Sequence, residues 1–434
     1  MTSQLILGNG FGVAIASDSA ATTANRVRTY EDAEKINPLA DPHRLAVLQS
    51  GSVNLLGMPV GVLLDDWKNS LGGKQRTVEG YRDNFLTWLQ DNLNNWTTST
   101  ERDGKAWWCL DGELRDVWKE FEETLGPGVR EEILACRESD MELPADRHEE
   151  VLRIIRKGIE EVSEFEIFDS GLNAIGDEIF DRLSQEGADG RPALSTLVNR
   201  WFGDFGSDEI TQELHRFLRL LVGRSITFPN GTRTFLAFIG YGANDLLPNM
   251  SGVQLYGAIG NHVCRYLWSN VTADPFGSSY VMVQPLAQRD MIDLVLRGWD
   301  EELAEDAAEA TFERITGQET RPADPAGTTG DDDTRGGQGN AGHQDDTASP
   351  EEDWRAALMD ETRDLAWKSR GERAYRTIAS LPLSSLANAA GSLVSIQNLK
   401  QNIRGELPTV GGKINVATIT RSEGFQWVSR QDDD

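Results

Sequence analysis

The stretch that most limits how this chain can fold lies near its start. Residues 5–22 read LILGNGFGVAIASDSAAT, with Gly8, Gly10 and Gly12 at alternate positions among apolar residues. A dinucleotide-binding loop needs a strand, then G-x-G-x-x-G, then a helix whose N-terminus receives the pyrophosphate. The spacing here is G-x-G-x-G, and Val13 and Ile15 then alternate with small residues, which is strand chemistry with nothing to start a helix. The stretch reads instead as a hairpin: strand LIL, a turn containing Asn9-Gly10, and strand VAIASD. Asn-Gly accepts the positive φ angles of tight hairpin turns.

Strand signals recur far along the chain, at RLAVLQSGS, RTFLAFIGYG, SGVQLYGAIG and SSYVMVQP. A last pair, KINVATITR and GFQWVSR, alternates like two strands joined by a turn at Ser422–Gly424. Helical spacing appears in GMPVGVLLDDWKNSL and in TVEGYRDNFLTWLQDNLNNW, where Thr77 is the expected N-cap and Tyr81, Phe85, Trp88 and Leu89 share a face. Residues 97–230 are charged and mostly helical in pattern; one long helix is expected from about Ala287 to Ile315, and another around SLPLSSLANAAGSLVSIQNLKQNI. Residues 316–352 hold almost no large apolar side chains and are expected to be a disordered acidic linker. Strands therefore open the chain, return in its middle and close it. One sheet assembled from both chain ends is more economical than three separate β domains, and two packed sheets covered by helices fit the order. The expected divisions are a core in three pieces, 1–96, 231–315 and 353–434, with a helical insertion at 97–230 and the linker at 316–352.

Composition narrows the function. The net charge of -28 argues against nucleic acid or an anionic membrane as the main partner, because phosphate binding needs a basic face. No run approaches the roughly 18 apolar residues of a membrane span, and no basic-then-apolar leader opens the sequence, so a cytoplasmic location is expected. Cys109, Cys136 and Cys264 are far apart and read as buried free thiols. His43, His148, His215, His262 and His343 show no metal spacing, so neither a metal nor a cofactor is expected, and no G-x-S-x-G marks a serine hydrolase. Trp107, Trp108 and Trp118 read as core of the helical insertion.

The stretch GFGVAIASDSAATTANRV, followed by Glu34-Lys35-Ile36 and DPHRLAVLQSGSV, resembles the opening of proteasome β-type subunits and of the related bacterial peptidase that works with an ATP-dependent unfoldase. Both belong to the N-terminal nucleophile hydrolase superfamily, whose mature chain begins with threonine. Thr2 takes that place once Met1 is removed; Asp18 follows sixteen positions later, Ala21-Thr22 continues the match, and Lys35 falls one position late. Ser50-Gly51-Ser52-Val53 matches the family's strand end, and Gly411-Gly412 before KINV matches its closing Gly-Gly. The likeness covers roughly residues 1–96, 231–300 and 376–430. The chain departs from the pattern at Ala20, where the family has arginine, at Tyr280–Pro285, where it has a Gly-Ser-Gly-type strand end, and at Glu406–Val410, where it has an aspartate and a serine. Glu406 and Thr409 are the candidates to stand in for those two.

The resemblance implies an α/β fold, a four-layer αββα sandwich of two antiparallel sheets, here enlarged by helical insertions. It also implies a threonine-type peptidase or amidase acting on peptide or protein, assembled as a homo-oligomeric ring and served by an ATP-dependent unfoldase. In this chemistry the free amine of Thr2 takes the proton from its own hydroxyl. Lys35 lowers the pKa of both groups, Asp18 fixes Lys35, and the Gly51 amide donates to the oxyanion. The alternative is a catalytically silent, proteasome-like scaffold or binding subunit, which a retained Met1 favours.

Overall fold

The computed structural model describes residues 2–22, 29–30, 33–125, 144–164, 170–187, 190–202, 208–224, 233–268, 280–316, 350–404 and 411–430. The fold is mixed α/β, built on two five-stranded antiparallel sheets. The first runs β12 (Val281–Ala287), β1 (Ser3–Asn9), β2 (Gly12–Asp18), β13 (Ile414–Thr420), β14 (Gly424–Ser429); the second runs β11 (His262–Trp268), β10 (Asn249–Ile259), β9 (Thr234–Tyr241), β6 (Arg44–Gly51), β5 (Ile36–Pro38). Two ribbons of two-residue strands, β3 (Ala21–Thr22) with β4 (Thr29–Tyr30) and β7 (Asn54–Leu55) with β8 (Met58–Pro59), complete the strands.

The opening stretch is the expected hairpin. Asn9 pairs with Gly12, so Gly10 and Phe11 form the two-residue loop. The buried Asn9 closes the turn by accepting from the Phe11 amide (2.9 Å), and its Nδ2 donates to the carbonyls of Ile378 and Leu381. The first sheet draws strands from the start, middle and end of the chain, and the closing pair KINVATITR–GFQWVSR is its β13–β14 hairpin.

Alternation along the strands sends residues to two destinations. On β1, Leu5 and Leu7 join a buried cluster with Ile292 of α8 (Asp290–Arg297), Tyr375 and Ile378 of α11 (Glu372–Ser380), and Leu386, Ala390 and Val394 of α12 (Leu383–Arg404). Ile6, between them, joins Val13, Ile15 and Ile419 in a cluster with Ala46, Leu48, Ala237 and Ile239 of the second sheet. The other face of the second sheet, with Val47, Phe238 and Val253, packs on α1 (Val60–Ser70) and α2 (Val78–Trp96) through Trp67, Tyr81, Phe85 and Leu89. Each such side chain, fully removed from water, contributes about 1.5–3 kcal/mol. Thr77 caps α2 as its sequence suggests, accepting from the Gly80 amide at 3.1 Å.

Residues 97–230 are mostly helical where described: α3 (Ser99–Leu125), α4 (Ala145–Glu164), α5 (Ser170–Leu183), α6 (Leu194–Phe202) and α7 (Asp208–Arg224). Their common core includes Trp107 and Trp118 and takes in Ile259 and Cys264, so the region is fastened to the β10–β11 edge. A polar clamp assists. The buried Arg102 donates to the carbonyls of Gly260 and Thr97 and to the side chains of Asn94 and Asn261, while Asp103 holds Arg182 bidentately (2.8 and 2.9 Å).

Several expectations need correction. The long helix over Ala287–Ile315 is two helices, α8 and α9 (Glu301–Thr316). Gly298 ends the first in the left-handed region (φ 70°), donating back to the Leu294 carbonyl. Strand β11 was not expected at all, and α10 (Pro350–Ala366) leads through a five-residue π-helical turn at Trp367–Gly371 into α11. Trp108 is 65% exposed, and Cys109 is half-buried rather than buried. Of the expected linker, residues 316–352, Thr316 ends α9 and Pro350–Glu352 begin α10, while 317–349 lie outside the described residues, as do Cys136, Glu406 and Thr409.

Candidate functional site

The space between the sheets is apolar along most of its length and turns polar at one end. On β1 the alternation that sends Ile6 inward also sends Gln4 inward, and continued past the strand's start it does the same for Thr2; on β2, Ser17 follows Ile15; on β13, Asn415 precedes Ala417 and Ile419 on the same face. Ser50 of β6 follows Leu48 from the second sheet. All are buried: Gln4 and Ser17 wholly, with Thr2 6% exposed.

Asp18, at the end of β2, is the centre of this region. Its Oδ1 accepts from Lys35 Nζ (2.7 Å) and from the Ser3 amide (3.0 Å), and its Oδ2 accepts from the Gly411 amide (3.3 Å). Asp18 is wholly buried and Lys35 is 7% exposed. Burial drives the Asp18 carboxyl above the ordinary carboxylate range despite the opposing pull of Lys35, and drives the Lys35 ammonium below the ordinary lysine range. Each partner opposes the effect of burial on the other, so the contact helps to keep the pair ionised.

Thr2 is held from both sides. Its carbonyl accepts from the Gln288 amide (3.0 Å) just past β12, and the next residue, Ser3, is tied to Asp18. Ala287, paired with Ser3, has φ 60°, a left-handed conformation unusual for a residue with a Cβ and of the kind that accumulates at functional sites.

Of the four residues singled out in the sequence, Asp18 and Lys35 are in direct contact, and Thr2 is one residue from the Ser3 amide that Asp18 binds. Gly51 stands at the exposed end of β6, two residues after Gln49, whose amide donates to the Lys35 carbonyl (2.9 Å). Its φ of 76° and the Arg233 carbonyl oxygen against it leave no room for a Cβ, so the fold itself requires glycine there. Among the described residues no hydrogen bond joins Thr2 to Lys35 or to Gly51. The sequence reading missed Gln4, Gln49 and the Gly411 amide. A polar residue at an inward position of the strand SQLILGN was the available signal for Gln4, and the Gly411-Gly412 pair the signal for the last.

A separate cleft of about 650 Å³ lies between α2, α5 and β11, lined by Leu86, Gln90, Ile175, Arg182 and His262 among others. It is remote from Asp18 in the fold, and its Gln90 and Arg182 are bonded to the protein itself. Among the described residues no three His, Cys, Asp or Glu side chains are grouped to hold a metal ion, and no helix is long and apolar enough to cross a membrane. No protein-family model matches the chain, and no curated protein matches it.

Proposed function

We propose that this protein is a proteasome-like N-terminal threonine hydrolase that cleaves peptide or amide bonds. In this reading the two sheets and the helices on their outer faces form a four-layer αββα sandwich, with residues 97–230 as an insertion on one edge. The observation that carries the proposal is the buried Asp18–Lys35 pair, bonded through Asp18 to the backbone beside Thr2.

The chemistry runs through groups of this chain. With Met1 removed, the Thr2 amine takes the proton from the Thr2 hydroxyl as Oγ1 attacks the scissile carbonyl carbon. The carbonyl oxygen becomes an oxyanion that accepts from the Gly51 amide. The proton on the amine passes to the departing amine as the C–N bond breaks, leaving an ester on Oγ1. Water, deprotonated by the same amine, hydrolyses that ester and restores the hydroxyl. Lys35, while charged, lowers the pKa of the amine so that it is unprotonated near neutral pH, and Asp18 keeps Lys35 in place. Peptide or protein substrates, a homo-oligomeric ring and an ATP-dependent unfoldase partner follow from the resemblance.

A second reading, a silent scaffold subunit, draws on the burial of Thr2 and on the absence, among the described residues, of a hydrogen bond from it to Lys35. Hydrolysis of a panel of fluorogenic peptide amides by the wild-type chain and by Thr2→Ala separates the two. The proposal expects turnover by the wild type and a loss of at least about 10³-fold in the variant, with the melting temperature unchanged. Undiminished turnover by Thr2→Ala overturns it.

A further inference from the structure

Gln4 occupies the polar end of the space between the sheets with no exposure to solvent. Its Nε2 donates to the Gln49 carbonyl (3.0 Å) in the second sheet and to Ser17 Oγ (3.2 Å) in the first. The orientation of the carboxamide is fixed by its partners. The Gln49 carbonyl can only accept, and Ser17 Oγ already donates to the Asp18 carbonyl (3.0 Å), so it must accept from Gln4. Both hydrogens of Nε2 are thus committed. Gln4 Oε1 is buried and meets no donor among the described residues. A buried acceptor left unmet is destabilising, and such a group in an otherwise ordered network marks a place where a further donor belongs.

On the same face of β1 Gln4 has Ile6 on one side; on the other, Thr2 immediately precedes the strand, two residues from Gln4, where the same alternation continued past Ser3 brings it beside Gln4. We propose that Gln4 is a positioning residue whose Oε1 accepts a hydrogen from the Thr2 α-amine, directly or through one water, and most strongly from the ammonium formed when that amine takes the hydroxyl proton. This rests on the threonine-hydrolase reading above and adds to it the group that orients the base. No bond to carbon changes at Gln4: the proton moves from Thr2 Oγ1 to the Thr2 nitrogen and on to the leaving amine, while Oε1 holds one of the other ammonium hydrogens. Anchored at Nε2 to both sheets, Gln4 keeps the amine lone pair turned toward the Thr2 hydroxyl. The charged groups on the surrounding elements are Asp18 of β2, Lys35 before β5, Arg289 beyond β12, which is paired with Asp293 (3.3 Å), and Lys413 before β13.

The test is the rate of labelling of Thr2 by a peptide epoxyketone as a function of pH, in the full chain and in two variants, with folding followed by circular dichroism. Gln4→Met removes the acceptor. It should slow labelling about ten- to hundredfold, the value of a hydrogen bond to a charged group, and move the midpoint of the acid limb to lower pH, because the ammonium has lost a stabilising partner. Gln4→Glu keeps an oxygen in place and adds charge, so its midpoint should move to higher pH. Should Gln4→Met fail to fold, the direction of the Gln4→Glu shift decides. Variants that fold and label with the wild-type midpoint overturn the role of Gln4 and leave the hydrolase reading standing. A wild-type chain freed of Met1 that does not label at all overturns the hydrolase reading, and the role of Gln4 with it.

Discussion

Asp18 and Asp103, two of the carboxylates buried among the described residues, are paired differently. Asp18 binds a lysine; Asp103 binds an arginine. At Asp18 both partners are out of water, with side-chain exposures of 0% and 9%, and burial raises the carboxyl and lowers the ammonium from their ordinary ranges. At Asp103 the guanidinium of Arg182 is 38% exposed and meets both carboxylate oxygens with its planar fork. The arginine pair suits fastening: it ties α5 to α3, and Asp103 also receives the Gly260 amide, so the helical region is locked to the β10–β11 turn. The lysine pair costs more to bury and gives less geometric restraint, but its compact ammonium concentrates the charge at one carboxylate oxygen. Lysine is the residue of choice where a proton must be influenced, and arginine where an element must be fixed.

That contrast can be broken by substitution. The largest effect is expected at the lysine pair. Lys35→Ala leaves Asp18 buried without its cation and should cost about 3–5 kcal/mol by chemical denaturation, together with all turnover. Lys35→Arg is the sharper test: it preserves the charge but puts a broad guanidinium where a compact ammonium reaches Asp18 Oδ1 in a buried place, so a variant that folds should remain inactive in the peptide-amide assay. Full activity in Lys35→Arg would erase the distinction drawn here. At the arginine pair, Asp103→Asn weakens a partly exposed contact and should cost about 1–2 kcal/mol, with turnover per folded molecule unchanged. Loss of turnover there would mean that the helical region reaches the chemistry.

The smallest effect concerns His43, whose Nδ1 lies 2.8 Å from the Tyr81 hydroxyl. Burial, helped by Lys74, lowers its pKa below the usual 6.5. The native state therefore favours the neutral ring: the stability it lends is complete above about pH 6.5 and is lost as pH falls through that value toward the folded pKa. A plot of unfolding free energy against pH should slope there by at most about 1.4 kcal/mol per unit, and His43→Gln should flatten it while leaving the site untouched.

What could be read from the sequence was local. The first hairpin follows from the alternating apolar residues on both sides of Asn9-Gly10, although its loop is Gly10-Phe11 and neither Asn9 nor Gly10 takes the positive φ expected of it; the start of α2 follows from Thr77, and the closing hairpin from alternation around Ser422–Gly424. Strand β11 escaped because HVCRYLW places His262 and Arg265 among its apolar residues and blurs the period. The break at Gly298 escaped because one glycine in a helical pattern is ordinarily tolerated. The site was legible only in part. Asp18 and Lys35 came from a family resemblance and not from any rule of spacing. The amides of Ser3 and Gly411 on Asp18, and of Gln288 on Thr2, depend on which distant strands pair and in what register, which no local pattern encodes. Gln4 was visible as an inward polar residue, but its meaning required the second sheet opposite it.

The most direct measurement of the central claim is the intact mass of the purified protein before and after incubation with a threonine-directed epoxyketone or β-lactone. The threonine-hydrolase account predicts a chain lacking Met1 that gains one adduct per molecule, mapped to Thr2 and absent in Thr2→Ala. A chain that retains Met1, or one that has lost it and stays unmodified at Thr2, contradicts the account and gives the buried Asp18–Lys35 pair a structural role alone.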